Sequence, residues 1–293
     1  MGLLMREFLL NQGRRLRGYP SLHRRAVLAA NVLRSTWLIP NWFKFHFFSW
    51  FRERQLGFSK KNLEAIAGLK DRHKGKRCFI VGTGPSLHAA DLDLIKDEIT
   101  ISMNSIFLFY DKTDFRPDYY MFLDPIELEK MSADYAVDFA GLSKRESFFN
   151  DANSMRMKRK LRSEKSITLM MQWLGHWYNP YSNVFKFSDN LLRGVYDGYN
   201  SIYAAIQIAR YMGFTQIYLL GADCGYTGNK KHFVNYSLDK LGYTFNTSGS
   251  IKGYEFVKSY SEKNGFKIYN ATRGGYLETF ERVDLEKVVK SID

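Results

Sequence analysis

Glycine, asparagine and aspartate recur at the ends of short apolar runs, and these are the residues that could do chemistry. Gly82-Thr83-Gly84 follows residues 77–81, and Asn104 comes two residues after the run 98–102. Asp124 follows 117–123, and Asp223 comes two residues after 216–221. Without a β-carbon, Gly82 and Gly84 let a backbone approach a ligand, and N–H groups exposed at such a turn suit phosphate. The turn is neither a GxGxxG fingerprint, because position 87 is Leu, nor a Walker A loop, because no Gly-Lys-Ser/Thr follows. Pro85 and Ser86 make it more particular. Asn104 offers a donor and an acceptor to a base or ribose, or closes an Asx turn. Asp124, before Pro125, could orient a ribose hydroxyl, ligate a metal or cap a helix. Asp223 is placed where desolvation raises a carboxyl pKa unless the group is paired; capping is its structural alternative.

Of six histidines, His232 stands out, in the Gly/Asn/Lys-containing segment 227–236. A histidine on a lid is suited to general-base work near neutral pH; a plain surface histidine is the alternative. His23, His46, His73, His88 and His176 lack such company. There is no HExxH and no GxSxG, which argues against zinc hydrolysis and serine-hydrolase chemistry. Asp91-Leu92-Asp93 fits a DxD metal pattern formally, but lies on an expected helix and reads as capping or surface charge. Cys78 and Cys224 are isolated, so no disulfide framework can be built and a reducing compartment is expected.

Those residues need a scaffold. Residues 77–81, 98–102, 117–123, 166–171, 216–221 and 267–270 read as strands, short and apolar in the manner of buried parallel strands. Between them, 200–212 has helical spacing and stops at Gly213, 253–264 stops at Gly265, and 126–165 reads as helical and increasingly basic (Arg156 to Lys165). Alternation of this kind predicts an α/β, doubly wound, mostly parallel sheet. Ligands in such sheets bind beyond the carboxyl ends of the strands. The glycine turn, Asn104, Asp124, Asp223 and Asn270/Thr272 all converge there.

The chain has 293 residues, 45% of them hydrophobic and 16% aromatic, which excludes disorder as the main theme. Two regions are expected: a basic, aromatic-rich segment over 1–60 and one nucleotide-binding α/β domain over 74–293, with a lid near 227–250. The formal net charge is +13, and residues 1–56 carry +8 of it, with ten Lys/Arg against Glu7 and Glu53. Eight aromatics crowd the fifteen residues from Trp37 to Phe51. Charges and Pro40 interrupt every apolar run there, so neither a spanning helix nor a secretory signal fits. A helical segment in a membrane interface does, with Trp and Phe at headgroup level and Arg and Lys on anionic lipid. Packing on the main domain or on a sister subunit is the bland alternative. Nucleic acid is not expected as a partner, since no RNP, zinc-finger or basic-zipper pattern accompanies the charge.

The order of motifs carries a resemblance. Residues 80–87 (Ile-Val-Gly-Thr-Gly-Pro-Ser-Leu), Asn104, Asp124-Pro125, residues 198–202 and residues 213–223 are similar to two groups, and the closing 268–278 is typical of the second. One is the bacterial sialyltransferases of glycosyltransferase family 42. The other is the motility-accessory-factor and 6-hydroxymethylpterin-diphosphokinase-like superfamily. The likeness spans about residues 77–284. It implies a Rossmann-like, GT-A-like fold, with nucleotide contacts from Gly82, Thr83, Gly84, Ser86, Asn104, Asp124, Ser201 and Asp223. Asp124 stands where the sialyltransferases have a second asparagine. The resemblance further implies catalytic roles for His232, as base, and Tyr226, on the departing phosphate, while Tyr236 lies near the place of a second phosphate-facing tyrosine. The chemistry it implies is metal-independent, inverting transfer from a CMP-linked donor to a glycan or lipid-linked acceptor. The expected place is the cytoplasmic face of the cell membrane, with a homo-oligomer allowed. The alternatives are a Mg-dependent diphosphokinase using ATP, with Asp124 and Asp223 as ligands, and a non-catalytic nucleotide-binding protein on the membrane.

Overall fold

The computed structural model describes residues 60–135, 137–150, 161, 165–172, 185–225 and 247–291. The basic N-terminal segment lies outside the described residues, as do Tyr226, His232, Tyr236 and all of the 156–165 basic cluster except Lys165.

Strand β1 (Arg77–Val81) is buried from its second residue onward, and β2 (Thr100–Met103), β3 (Tyr119–Phe122) and β4 (Ser147–Asn150) are buried throughout. Apolar runs with no polar face belong inside a parallel sheet covered on both sides. The next strands are β5 (Ser166–Leu169), β6 (Met171–Gln172), β7 (Val195–Tyr196), β8 (Gln216–Leu220), β9 (Lys267–Asn270) and β10 (Glu281–Arg282). Eight of these form one sheet in the order β10-β9-β8-β1-β2-β3-β4-β5, all neighbours parallel. β6 and β7 pair separately, also in parallel. From β1 the chain winds outward to β5, then crosses back to β8 and winds the other way. The strand order therefore reverses between β1 and β8.

The helices of the described residues are α1 (Lys60–Ala67), α2 (Ala89–Leu94), α3 (Pro125–Asp134), α4 (Ser201–Tyr211), α5 (Thr247–Lys263) and α6 (Leu285–Lys290). Alternate strand residues feed two cores. Cys78, Ile80, Ile101, Met103 and Met121 join Ile66 of α1, most of α4, and Tyr254 and Val257 of α5. Phe79, Val81, Tyr120 and Phe122 join Leu92 of α2, Leu128 and Met131 of α3, and Leu285 of α6. Each fully buried side chain of this size contributes about 1.5–3 kcal/mol. The result is the doubly wound, Rossmann-like sheet expected from the strand and helix alternation.

Local signals account for α4. Asn200 accepts the Tyr203 N–H through its side chain (2.9 Å), and Gly213 closes the helix at φ +89°. Two expectations are corrected. Residues 126–165 are not one helical stretch: α3 ends at Asp134 and β4 follows, paired on both edges. Ser147-Phe148-Phe149-Asn150 is only four residues long with polar ends, so its two strand-favouring phenylalanines give a weak signal, and pairing with β3 and β5 completes the strand. Second, α5 begins at Thr247 rather than near 253, so residues 247–250 of the expected lid are helix; 227–246 lie outside the described residues.

Candidate active site

The loops leaving β1 and β8 interlock at the point where the strand order reverses. The Gly82 N–H donates to Leu220 O (2.8 Å) and the Gly84 N–H to Gly221 O (2.9 Å). A Cβ on Gly82 would lie 2.6 Å from Gly221 O, and one on Gly84 would collide with Asp223 Oδ2. Asp223 is 7% exposed, and its carboxylate grips the turn: Oδ1 accepts the Ser86 N–H (3.1 Å) and Oδ2 the Ser86 Oγ–H (2.9 Å). Burial pushes the Asp223 carboxyl above its ordinary value, while the Ser86 bonds and the Arg282 charge pull it back. The glycines thus serve the close approach of two loops. The N–H groups of Gly82, Gly84 and Ser86 are engaged inside the protein, which corrects the expectation that this turn exposes them to phosphate.

A third loop, after β9, locks onto the same place. Thr272 Oγ1 accepts the Ala222 N–H (3.0 Å), and Asn270 bridges its own loop to the Thr272 N–H (3.0 Å) and Leu277 O (2.7 Å). Gly275, at φ +79°, lies so close to the Asp223 backbone that a Cβ would collide with it. The Tyr276 N–H donates to Asp223 O (2.6 Å). Arg282 donates to the carbonyls of Thr272, Gly274 and Gly275 (3.0–3.2 Å) and pairs with Glu278. Arg273 pairs with the buried Asp91, which also accepts the His88 N–H at the start of α2, and with Glu286. Sequence reasoning missed both arginines. Nothing in their spacing shows which carbonyls or acids they reach; the neighbouring glycines at 274 and 275 were the only signal of a tight turn.

The end of β2 is different. Asn104 sits at φ +50°, and its carbonyl accepts the Tyr120 hydroxyl (2.6 Å). Its Oδ1, with Ser102 Oγ and Ser105 Oγ, is buried and has no hydrogen-bond partner among the described residues. An unmet buried polar group costs about 1–3 kcal/mol. Glu146 Oε2 and Ser166 Oγ stand likewise, and what is particular to the end of β2 is that three such oxygens fall within residues 102–105. Asp124 Oδ1 accepts the Glu127 N–H (2.9 Å) and so caps α3, with Pro125 as the first helical residue. Ser201 opens α4 after its cap Asn200, which follows Gly198 and Tyr199 at φ +47° and +69°. Ile202 beside it reaches the glycine turn, 3.1 Å from a Cβ placed on Gly82. The positive end of α4 therefore adjoins the glycine turn. Among the described residues, no group of three His, Cys, Asp or Glu could hold a metal, and no helix is long and apolar enough to cross a membrane.

A Rossmann-like sheet whose polar loops gather where the strand order reverses defines an α/β protein of the kind that binds ligands beyond the carboxyl ends of its strands. The chain belongs to the MptE-like family: the model described as 6-hydroxymethylpterin diphosphokinase MptE-like matches residues 53–229. No curated protein matches it in sequence. Among solved structures, it is similar to the sialyltransferase CstII from Campylobacter jejuni in complex with cytidine-5′-monophosphate, at 15% identity and a TM-score of 0.45, over 72% of this chain and 85% of that one. A complex of sialyltransferase CST-II with a trisaccharide acceptor and CMP matches at 14% identity and a TM-score of 0.44, over 70% and 85%. The MAf glycosyltransferase from Magnetospirillum magneticum AMB-1 matches at 16% identity and a TM-score of 0.44. That likeness covers 83% of this chain and 41% of that longer one.

Proposed function

We propose that this protein is a glycosyltransferase that takes a sugar from a nucleotide-activated donor. The observation that carries this reading is the unpartnered Asn104 Oδ1 at the end of β2, one strand from the switch point. A buried acceptor there fits an amino or hydroxyl donor of a nucleoside, and it lies in the chain where the resemblance puts a nucleotide contact. The donor is a CMP-linked nonulosonic acid such as sialic acid, and the acceptor a surface glycan or lipid-linked sugar. The acceptor hydroxyl attacks the anomeric carbon, the bond to the phosphate oxygen breaks, CMP departs, and the configuration inverts. His232 takes the hydroxyl proton and Tyr226 hydrogen-bonds the departing phosphate, both assigned from their place in the sequence. With the glycine-turn N–H groups engaged, the phosphate charge falls to Thr83, Ser201 and the N-terminus of α4. No metal takes part in this scheme. Residues 1–56 hold the enzyme, alone or as a homo-oligomer, on the cytoplasmic face of the membrane.

Thermal stabilisation by CMP, CDP, UDP, GDP and ATP, each with Mg²⁺ and with EDTA, tests the donor site, because a ligand that binds the native state raises Tm with concentration over Kd. A shift with CMP that survives EDTA is expected. A shift confined to ATP with Mg²⁺ would replace the reading with diphosphoryl transfer, and none with any nucleotide would leave a non-catalytic protein.

A further inference from the structure

Tyr276 is the large apolar side chain most open to solvent among the described residues, at 68%, against 38–44% for Leu63, Leu94 and Leu192. Single exposed apolar groups are common and say little by themselves. This one is different because of how it is mounted. Its N–H is tied to Asp223 O (2.6 Å), and Gly275 before it is pressed onto the Asp223 backbone. Arg282 fixes the three preceding carbonyls at 272, 274 and 275. On one side the ring lies against Gly225, where a Cβ would come within 2.5 Å of Tyr276 Cδ2 and 2.7 Å of Cε2. Any side chain at 225 would displace it. The loop also reaches the glycine turn, with Gly274 beside Ser86. The backbone that carries this ring is thus fixed beside the glycine turn and the end of β8, and most of the ring's surface is left open.

We propose that Tyr276 is the acceptor-side platform of the crevice, stacking on a pyranose ring of the incoming glycan. The inference rests on the glycosyl-transfer reading. Asn104 assigns the nucleotide to the β1–β2 half, whereas Tyr276 rises from the β9 loop over the end of β8, across the switch point. The ligand left for that half is a sugar. A pyranose offers an apolar C–H face to the ring and hydroxyls at its rim to the phenol, which matches the apolar body and polar tip of tyrosine. A tyrosine on a tied backbone has only two side-chain torsions to lose on binding.

The test uses the full chain and its Tyr276→Ala, Tyr276→Phe and Tyr276→Trp variants. Methyl β-galactopyranoside and methyl β-glucopyranoside are titrated by ligand-observed NMR with CMP present, and the CMP thermal shift is measured in parallel. The platform predicts that at least one pyranoside binds the wild type, that Tyr276→Ala weakens it by about fivefold or more, and that Phe and Trp retain it. The CMP shift stays equal in all four proteins. Equal pyranoside binding by wild type and Tyr276→Ala overturns the proposal, as does no pyranoside binding to the wild type. Loss of the CMP shift in Tyr276→Ala also overturns it, since the residue would then be supporting the loop or the nucleotide. Tyr276-dependent pyranoside binding with no CMP shift in the wild type strikes the nucleotide-sugar reading and leaves the platform standing.

Discussion

The two halves of the carboxyl edge handle polar groups in opposite ways. Around β1, β8 and β9, the donors and acceptors are consumed by the protein itself: Gly82 and Gly84 by the β8 loop, Ser86 by Asp223, and Thr272 by Ala222. At β2, within a strand's width, Ser102, Asn104 and Ser105 each keep a buried oxygen with no partner among the described residues. The first half is a clamp that fixes the shape of the crevice. The second half holds hydrogen-bonding capacity ready for something else. Glycine, the residue type most readily read as a ligand contact, here does structural work, and the quieter asparagine is the better candidate for binding.

The largest effect is expected from breaking the clamp. Gly84→Ala places a methyl group against Asp223 Oδ2 and 2.6 Å from Gly221 O, and neither neighbour is a flexible chain end free to yield. Overpacking of this kind costs about 1–3 kcal/mol, and the loops that shape the crevice would part. Chemical denaturation should show the loss, and the CMP thermal shift should vanish with it. A variant with wild-type stability would mean that the interlock is slack and the contrast between the halves is false.

A partnered cluster at the opposite edge serves as a control. His73 is 6% exposed, with Nε2 2.7 Å from the Tyr119 hydroxyl and its ring stacked on Phe214. Burial lowers its pKa to about 4, aided by the charges of Arg145, Lys76 and Arg72 and opposed by Asp118. The unfolded chain takes up this proton near pH 6.5 and the folded one only near pH 4. Stability should therefore be lost as pH falls across that window, by about 2–3 kcal/mol. Denaturant midpoints measured from pH 7 to pH 4 should drop in the wild type and flatten in His73→Gln. CMP binding at pH 7 should be the same in both; a loss there would tie the two edges together.

Much of this frame was legible in the sequence. Residues 267–270 are β9 as expected, and β8 fills all but the last position of its expected run, because buried parallel strands are short, apolar and flanked by glycine. Asp223 was placed correctly at a strand end, but its partner Ser86 is 137 residues away, and no spacing rule encodes that contact. The same holds for Arg282 and the carbonyls it binds: its type was visible and its targets were set by folding. β4 escaped because its strand state comes from pairing with β3 and β5 rather than from its four residues. Asn104 was legible as a candidate because an asparagine just past a strand end offers both a donor and an acceptor; its left-handed backbone was not. That its Oδ1 would be left without a partner could be learned only from the packing.

Asn104→Gly is the sharpest test with the smallest effect on stability. Glycine accepts φ +50° without strain, so the backbone at the end of β2 should hold. It loosens the unfolded chain, at a cost of about 0.5–1 kcal/mol. It also removes a buried oxygen that has no partner among the described residues, which works in the opposite direction. The two should nearly cancel, leaving stability within about 1 kcal/mol of the wild type. CMP affinity should fall by about tenfold or more, the loss of one well-made hydrogen bond to a ligand. Asn104→Asp separates geometry from chemistry: it keeps the backbone preference and an acceptor oxygen, but trades the amide donor for a negative charge. If it binds CMP as well as the wild type does, the oxygen is the group the nucleotide requires and the amide donor is dispensable. If Asn104→Gly instead lost several kcal/mol of stability and kept its affinity, the asparagine would belong to the scaffold, and both halves of the edge would be clamps.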